Sequence, residues 1–287
     1  MLLAAPVAIL PAACTFSPDR DHDGTDAPRY QALAKPPRIA WVLSSGGPRG
    51  FTHVGVLRAL DELALQPDLI VGASVGAIVG SLRAAGMSAR EIESQALALQ
   101  PLSLARVAIG ANERLSGSAI ASLVRLISPQ RLIERMPIAM ACVAVRDDDR
   151  EAVAFTAGDV GLAVQASAAV EGQFSPVRIR GARYVDPDRV MPLPVRIARS
   201  LGAQHVLAVD ASVHLDSAPA SAGRYRNGDL AKAALVDADA RLADLVLKPD
   251  FGYWVSLSRE FRERAIDAGY QATMAAAASL RELHART

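Results

Sequence analysis

The chain has 287 residues, enough for one large domain or two small ones. It is 51% hydrophobic and 21% charged with a formal net charge of +1, which excludes wholesale disorder and leaves no basic field for nucleic acid. Aromatic residues make up only 5%, too few for base-stacking platforms, and no run of about 18 apolar residues marks a transmembrane helix.

Residues 1–13 are apolar and end in Pro11-Ala12-Ala13 before Cys14. Small residues ahead of a cleavage point are a feature of signal peptides, and a cysteine directly after them resembles a bacterial lipoprotein processing site. Pro11 stands where a Leu-like residue is usual, and no Lys or Arg forms a charged leader. The expectation is a signal-like segment over 1–13 and a lipid anchor on Cys14. The domain would then sit in the cell envelope, facing the periplasm. If the segment is no signal, the expectation is a cytoplasmic protein.

Residues 14–37 read as a flexible tether, with four prolines, four aspartates and few apolar residues. Asp19-Arg20-Asp21-His22-Asp23-Gly24 has the start of a calcium loop, but Tyr30 occupies the position of the closing glutamate. An acidic linker is the better reading, and no metal site is expected there. The ordered domain is expected over 38–287.

Ile39 to Leu43 reads as a buried strand running into the turn Ser44-Ser45-Gly46-Gly47-Pro48-Arg49-Gly50. Phe51 to Ala64 has helical spacing, with Val54, Leu57 and Leu60 on one stripe. Asp68 to Val71 is a second strand, and Val75 to Ala85 a helix stopped by Gly86. Ser88 and Glu91 form a capping box, and residues 87–135 read as mostly helical. Ile138 to Val145 is a strand containing Cys142, a buried small hydrophobe. Asp147-Asp148-Asp149 is a hairpin tip rather than a metal site, and Ala152 to Phe155 returns. A helix follows over 159–169, then a hairpin around Gly181, then a strand over 206–209. Residues 212–229 are loop-like, and the remainder is helical with a break at Lys248 to Gly252. Strands alternating with helices predict an α/β sandwich with a largely parallel sheet.

Three local features carry chemistry. Gly72-Ala73-Ser74-Val75-Gly76 lies between a strand and a helix, a setting that strains a serine and exposes its hydroxyl. Gly72 and Gly76 remove side chains where backbones approach closely. The turn Ser45 to Gly50 can aim backbone N–H groups at an anion. It lacks both the dinucleotide spacing and the Lys-Ser/Thr pair of a nucleotide loop, so no cofactor is implied. Gly46 and Gly47 can donate there; Pro48 cannot. Finally, Tyr184-Val185-Asp186-Pro187-Asp188 sets a carboxylate at a strand end, where it is either a partner for the serine or part of an exposed turn. Asp188, next to Arg189, is expected to turn toward solvent.

Together these segments resemble the patatin-like phospholipase family. Ser44 to Leu57 is similar to its glycine-rich segment and following helix, and Gly72 to Gly76 to its nucleophile motif. Ala166 to Ala169, Phe174 to Val177, Tyr184 to Asp186 and Pro192 to Val195 continue the likeness over about residues 38 to 280. The resemblance implies a three-layer α/β/α sandwich that hydrolyses acyl esters of lipids at a membrane surface. It implies Ser74 as nucleophile, Asp186 as general base, and Gly46, Gly47 and the Arg49 N–H as an oxyanion hole. Two positions depart from the family: Ser45 replaces a loop glycine, and Pro187 the glycine after the aspartate. A binding or scaffolding lipoprotein that has lost turnover is one alternative. An α/β-hydrolase esterase using His205, His214 or His284 in a triad is another.

Overall fold

A computed structural model describes residues 20–99 and 116–286. The signal-like segment, Cys14 and part of the helical stretch over 87–135 lie outside the described residues.

Parallel strands β1 (Ile39–Leu43), β2 (Leu69–Ala73) and β3 (Ala139–Arg146) form the centre of the sheet, with β7 (His205–Val209) and β8 (Leu245–Leu247) continuing beyond β1. β4 (Ala152–Phe155), β5 (Val177–Ile179) and β6 (Ala182–Val185) are antiparallel additions at the β3 end. The β5–β6 turn uses left-handed Arg180 and Gly181, as a two-residue hairpin requires.

Alternation along the strands divides the core into two. Ile39, Trp41, Leu43, Ile70 and Met140 face one way, where α1 (Phe51–Glu62) and α2 (Val75–Ala84) cover them. Ala40, Val42, Leu69, Val71 and Ala141 face the other, against Val195 and Ala198 of α6 (Val195–Ser200) and Val236 of α7 (Arg226–Ala240). Helices thus cover both faces, and the chain is a three-layer α/β/α sandwich with a mostly parallel sheet.

α1 lies against α8 (Arg259–Ala275) at glycines. A Cβ on Gly55 would stand 1.8 Å from the Ile266 carbonyl oxygen, and one on Gly269 2.1 Å from that of Thr52. α3 (Ala89–Ala98) starts with the expected Ser88–Glu91 capping box, and Gly86 ends α2 at φ 102°. α4 (Ser118–Ile127) rests on α5 (Val160–Ser167), and α9 (Ala277–Ala285) closes the chain. α7 begins at Arg226, inside the stretch expected as loop.

The tether expectation is corrected for residues 20–37, which form a strap on the domain. His22 bridges Ile179 on β5, and Arg29 pairs with Ala157. Gln31 N–H donates to the Thr156 hydroxyl (2.7 Å), and Ala27 is buried. The Asp21 carboxylate accepts the Gly181 N–H (2.8 Å). Strap pairing uses backbone groups, so it needs no apolar periodicity in the sequence. Among the described residues no cluster of acidic, His or Cys side chains could hold a metal ion.

Candidate active site

Register brings the serine and the aspartate together. β2 runs parallel to β3 and ends with Ala73 beside Val143. β6 runs antiparallel and ends with Val185 beside Val145. β4 occupies the opposite edge of β3 through the same residues, so β2 and β6 share one edge and approach head-on. The next residue of each, Ser74 and Asp186, arrives at the level of Ala144.

Ser74 caps α2 with φ 55° and ψ −121°, a strained conformation for a residue with a Cβ. Gly72 and Gly76 make it reachable. A Cβ on Gly72 would lie 2.5 Å from the Gly76 carbonyl oxygen, and one on Gly76 2.2 Å from that of Leu43. Gly76→Ala is therefore expected to destabilise the fold by about 2 kcal/mol or more, read as a lowered melting temperature. Unchanged melting would show that the turn can relax. Ser167 fastens the turn: its Oγ accepts the Ser74 N–H (2.9 Å) and donates to the Val143 carbonyl (2.5 Å). The motif Ala166-Ser167-Ala168-Ala169 is legible in the sequence, but this role is not.

The glycine turn lies beside Ser74. Gly50 packs so tightly on Val75 that a Cβ would fall 2.2 Å from its Cγ1. Gly47 takes φ 53°, and apart from Gly47 and its two chain neighbours nothing among the described residues lies within 4 Å of where its Cβ would stand, so this part of the loop faces open space. The expectation for Arg49 is corrected. Its N–H donates to the Gly46 carbonyl (3.1 Å) inside a 3-10 turn over Gly47–Gly50, because Pro48 folds the chain back on itself. Its buried guanidinium anchors the loop instead, donating to the carbonyls of Ala211 (2.9 Å) and Gly252 (2.7 Å). The Val75 and Gly76 amides, in the first turn of α2, have no intrahelical acceptor by helix geometry.

Asp186 is 2% exposed and Ser74 6%. Pro187 holds Asp186 extended (ψ 136°) and opens a 3-10 turn, Pro187–Arg189, in which Asp186 Oδ1 accepts the Asp188 N–H (2.8 Å). Oδ2 is buried and has no hydrogen-bond partner among the described residues. Burial pushes the Asp186 carboxyl up to about 7; the Ser74 hydroxyl is the strongest opposing influence, and the Asp188 charge adds to the rise. The serine thus lies beside the carboxylate without a closed hydrogen bond, as is common before a substrate tightens a site.

The expectation that Asp188 turns toward solvent is corrected. It is half-buried and held: Lys232 Nζ on α7 donates to its Oδ1 (2.5 Å), as does the Ser45 hydroxyl. Burial alone would raise its pKa, but Lys232 and Ser45 hold it below the usual carboxylate range. Ser45 and Pro187, the two departures from the family pattern, therefore meet in one network that ties the glycine loop to the aspartate turn.

The histidines serve elsewhere. His53 is fully buried with Nε2 against the Ser44 carbonyl (2.9 Å), and burial lowers its pKa to about 4. His205 opens β7, at the sheet end opposite Ser74, near Asp244. His214 meets the Lys248 carbonyl, and His284 meets Trp41. No hydrogen bond among the described residues joins any of them to Ser74.

The three-layer α/β/α domain thus sets a strained serine and a buried carboxylate at the ends of converging strands. The family model of patatin-like phospholipases matches residues 41–199, more than half of the chain, and the chain belongs to that family. It is 34% identical over 176 residues to an NTE family protein of Mycobacterium tuberculosis, covering 60% of this chain and 49% of that protein. It is 29% identical over 182 residues to patatin-like phospholipase domain-containing protein 6 of Homo sapiens, covering 60% of this chain and 13% of that protein. The chain thus spans about half the length of the mycobacterial relative and less of the human one. Among solved structures it is similar to VipD from Legionella pneumophila, at TM-score 0.47 and 14% identity, over 86% of this chain and 68% of that one.

Proposed function

We propose that the protein is a serine hydrolase cleaving acyl esters of lipids, with Ser74 as nucleophile and Asp186 as general base. The observation that carries this reading is the convergence of β2 and β6 at Ala144, which sets a buried, basic carboxylate beside a strained serine. Asp186 takes the hydroxyl proton as Ser74 Oγ attacks the ester carbonyl carbon. The carbonyl oxygen becomes an oxyanion facing the N–H groups of Gly46 and Gly47, with the first-turn amide of Val75 as a further donor. Each such donor contributes about 10²–10³-fold in rate. The tetrahedral intermediate collapses, the alcohol leaves with the proton from Asp186, and an acyl-serine remains. Water, deprotonated by Asp186, then releases the fatty acid and restores Ser74. No cofactor enters the scheme. A fluorophosphonate probe is expected to label Ser74, located by peptide mapping; absence of label on folded protein would favour the scaffolding alternative.

For the N-terminus we propose the lipoprotein reading, with Cys14 lipidated and the domain held at the envelope membrane. Only five residues separate Cys14 from the first strap residue, Arg20, which would keep the domain close to that membrane. Among the described residues no helix is long and apolar enough to cross a membrane. Cys14→Ser is expected to move the protein from the membrane to the soluble fraction on cell fractionation. An unchanged distribution would remove the lipoprotein reading.

A further inference from the structure

An exposed aromatic and aliphatic patch has no part in the chemistry above. The segment after Gly252 carries Trp254 (49% exposed), Val255 (50%) and Leu257 (37%) without regular secondary structure. Tyr225, 43% exposed at the start of α7, meets the Trp254 ring edge-on at 6.2 Å, and Tyr253 meets the same ring edge-on at 5.0 Å. Isolated surface hydrophobes are ordinary, but a contiguous group led by Trp and Tyr is not. Exposed Arg224 and Arg226 flank Tyr225, and neither forms an ion pair among the described residues. Arg224 lies over the Tyr225 ring at 4.6 Å.

The patch is bonded through its Gly252–Tyr253 end to the frame of the site. Arg49, in the glycine turn, holds the carbonyls of Gly252 and Tyr253. The Tyr253 hydroxyl donates to Asp229 (2.6 Å), one turn of α7 before Lys232, which holds Asp188 beside Asp186. A surface seated on this patch is therefore seated at the rim of the site.

We infer that Tyr225, Trp254, Val255 and Leu257, with Arg224 and Arg226, dock the domain on an anionic lipid bilayer. The inference rests on the acyl-lipid hydrolase reading, because a bilayer is where such a substrate is held. Trp and Tyr favour the head-group level, where the ring is dehydrated and its polar edge stays wet. Unpaired arginines beside them complement anionic head groups.

The test uses the full chain with Cys14→Ser in every sample, so that no lipid anchor contributes. Binding to vesicles of phosphatidylcholine and phosphatidylglycerol is measured by sedimentation. Trp254→Ser, Val255→Ser and Leu257→Ser combined should weaken it by about tenfold or more, while turnover of a water-soluble nitrophenyl ester stays the same. Equal vesicle binding overturns the inference, as does binding no tighter with phosphatidylglycerol than without it. A readout without mutation keeps the test open if the variant fails to fold. Trp41 is 1% exposed, so acrylamide quenching reports Trp254, and vesicles should abolish it. Quenching unchanged by vesicles, or already lost without them as protein concentration rises, overturns the bilayer as occupant; the second result points to another copy of the chain. Absent turnover of the soluble ester in the parent protein would sink the hydrolase reading while leaving the binding result to stand by itself.

Discussion

Ser74→Ala is expected to lower hydrolysis of a nitrophenyl ester by at least about a thousandfold, because the attacking atom is lost while the rest of the site remains. Stability should hardly change. Among the described residues the Ser74 hydroxyl closes no hydrogen bond, and its backbone N–H, which does bond Ser167, survives the substitution. Alanine inherits the same strained backbone angles, so no strain is added or relieved. Purified variant and parent are compared in turnover and in thermal melting. Undiminished turnover in the variant would sink the serine-hydrolase reading. A melting temperature lowered by many degrees would leave the comparison confounded by the fold, and chemical labelling of Ser74 in the parent would then decide.

Asp186→Asn is expected to be as damaging to turnover and, at alkaline pH, to stabilise the protein. An amide keeps the acceptor for the Asp188 N–H but cannot take a proton from Ser74. In the parent, turnover of a soluble ester should rise with pH through about 7, as Asp186 loses its proton, and then level off. The stability effect has the opposite sign. Burial raises the folded-state pKa of Asp186 above its unfolded value of 3.8, so the folded state holds the extra proton between 3.8 and about 7. Stability is consequently lost as pH rises across that window. A tenfold difference in proton affinity between the folded and unfolded chain corresponds to about 1.4 kcal/mol. Asparagine, never charged, should therefore gain on the parent by up to a few kcal/mol at about pH 8 and by little at about pH 4. Melting curves at the two pH values, beside a pH–rate profile, test both statements.

Asp188→Asn should retain much of the activity, because the Asp188 carboxylate is engaged by Lys232 and Ser45. Removing its negative charge also removes one of the influences that raise Asp186, so the rising limb of the pH profile should move toward lower pH. If Asp188→Asn were the inactive variant and Asp186→Asn the active one, the assignment of the base would be reversed. If neither mattered while Ser74→Ala still abolished turnover, the dyad would have to be abandoned.

Much of the frame is legible in the chain's local patterns. The buried runs Ile39 to Leu43 and Ile138 to Val145, the α1 stripe, the Ser88 cap and the Gly181 hairpin are each confined to a few residues, and all appear where they are expected. β8 is not legible, because Leu245-Val246-Leu247 is too short to display a period. The strap over 20–37 reads as a tether because its pairing with residues 156–159 and 178–181 uses backbone groups, which composition does not reveal.

By itself, the sequence determined the Gly72 to Gly76 turn. Two glycines around a serine at a strand–helix junction permit one sharp conformation, and that information is local. It also marked the glycine loop and an aspartate held extended by the proline after it. Only the tertiary structure decided that this aspartate meets this serine, because the meeting depends on which edge of β3 receives β6 and on the register at Val145. The same holds for Ser167 bonded to Ser74, for the Arg49 amide turned inward, and for Lys232 holding Asp188 from 44 positions away. Partners so distant in sequence leave no periodicity behind them. They are chosen by how helices and strands pack, and packing is a property of the whole chain.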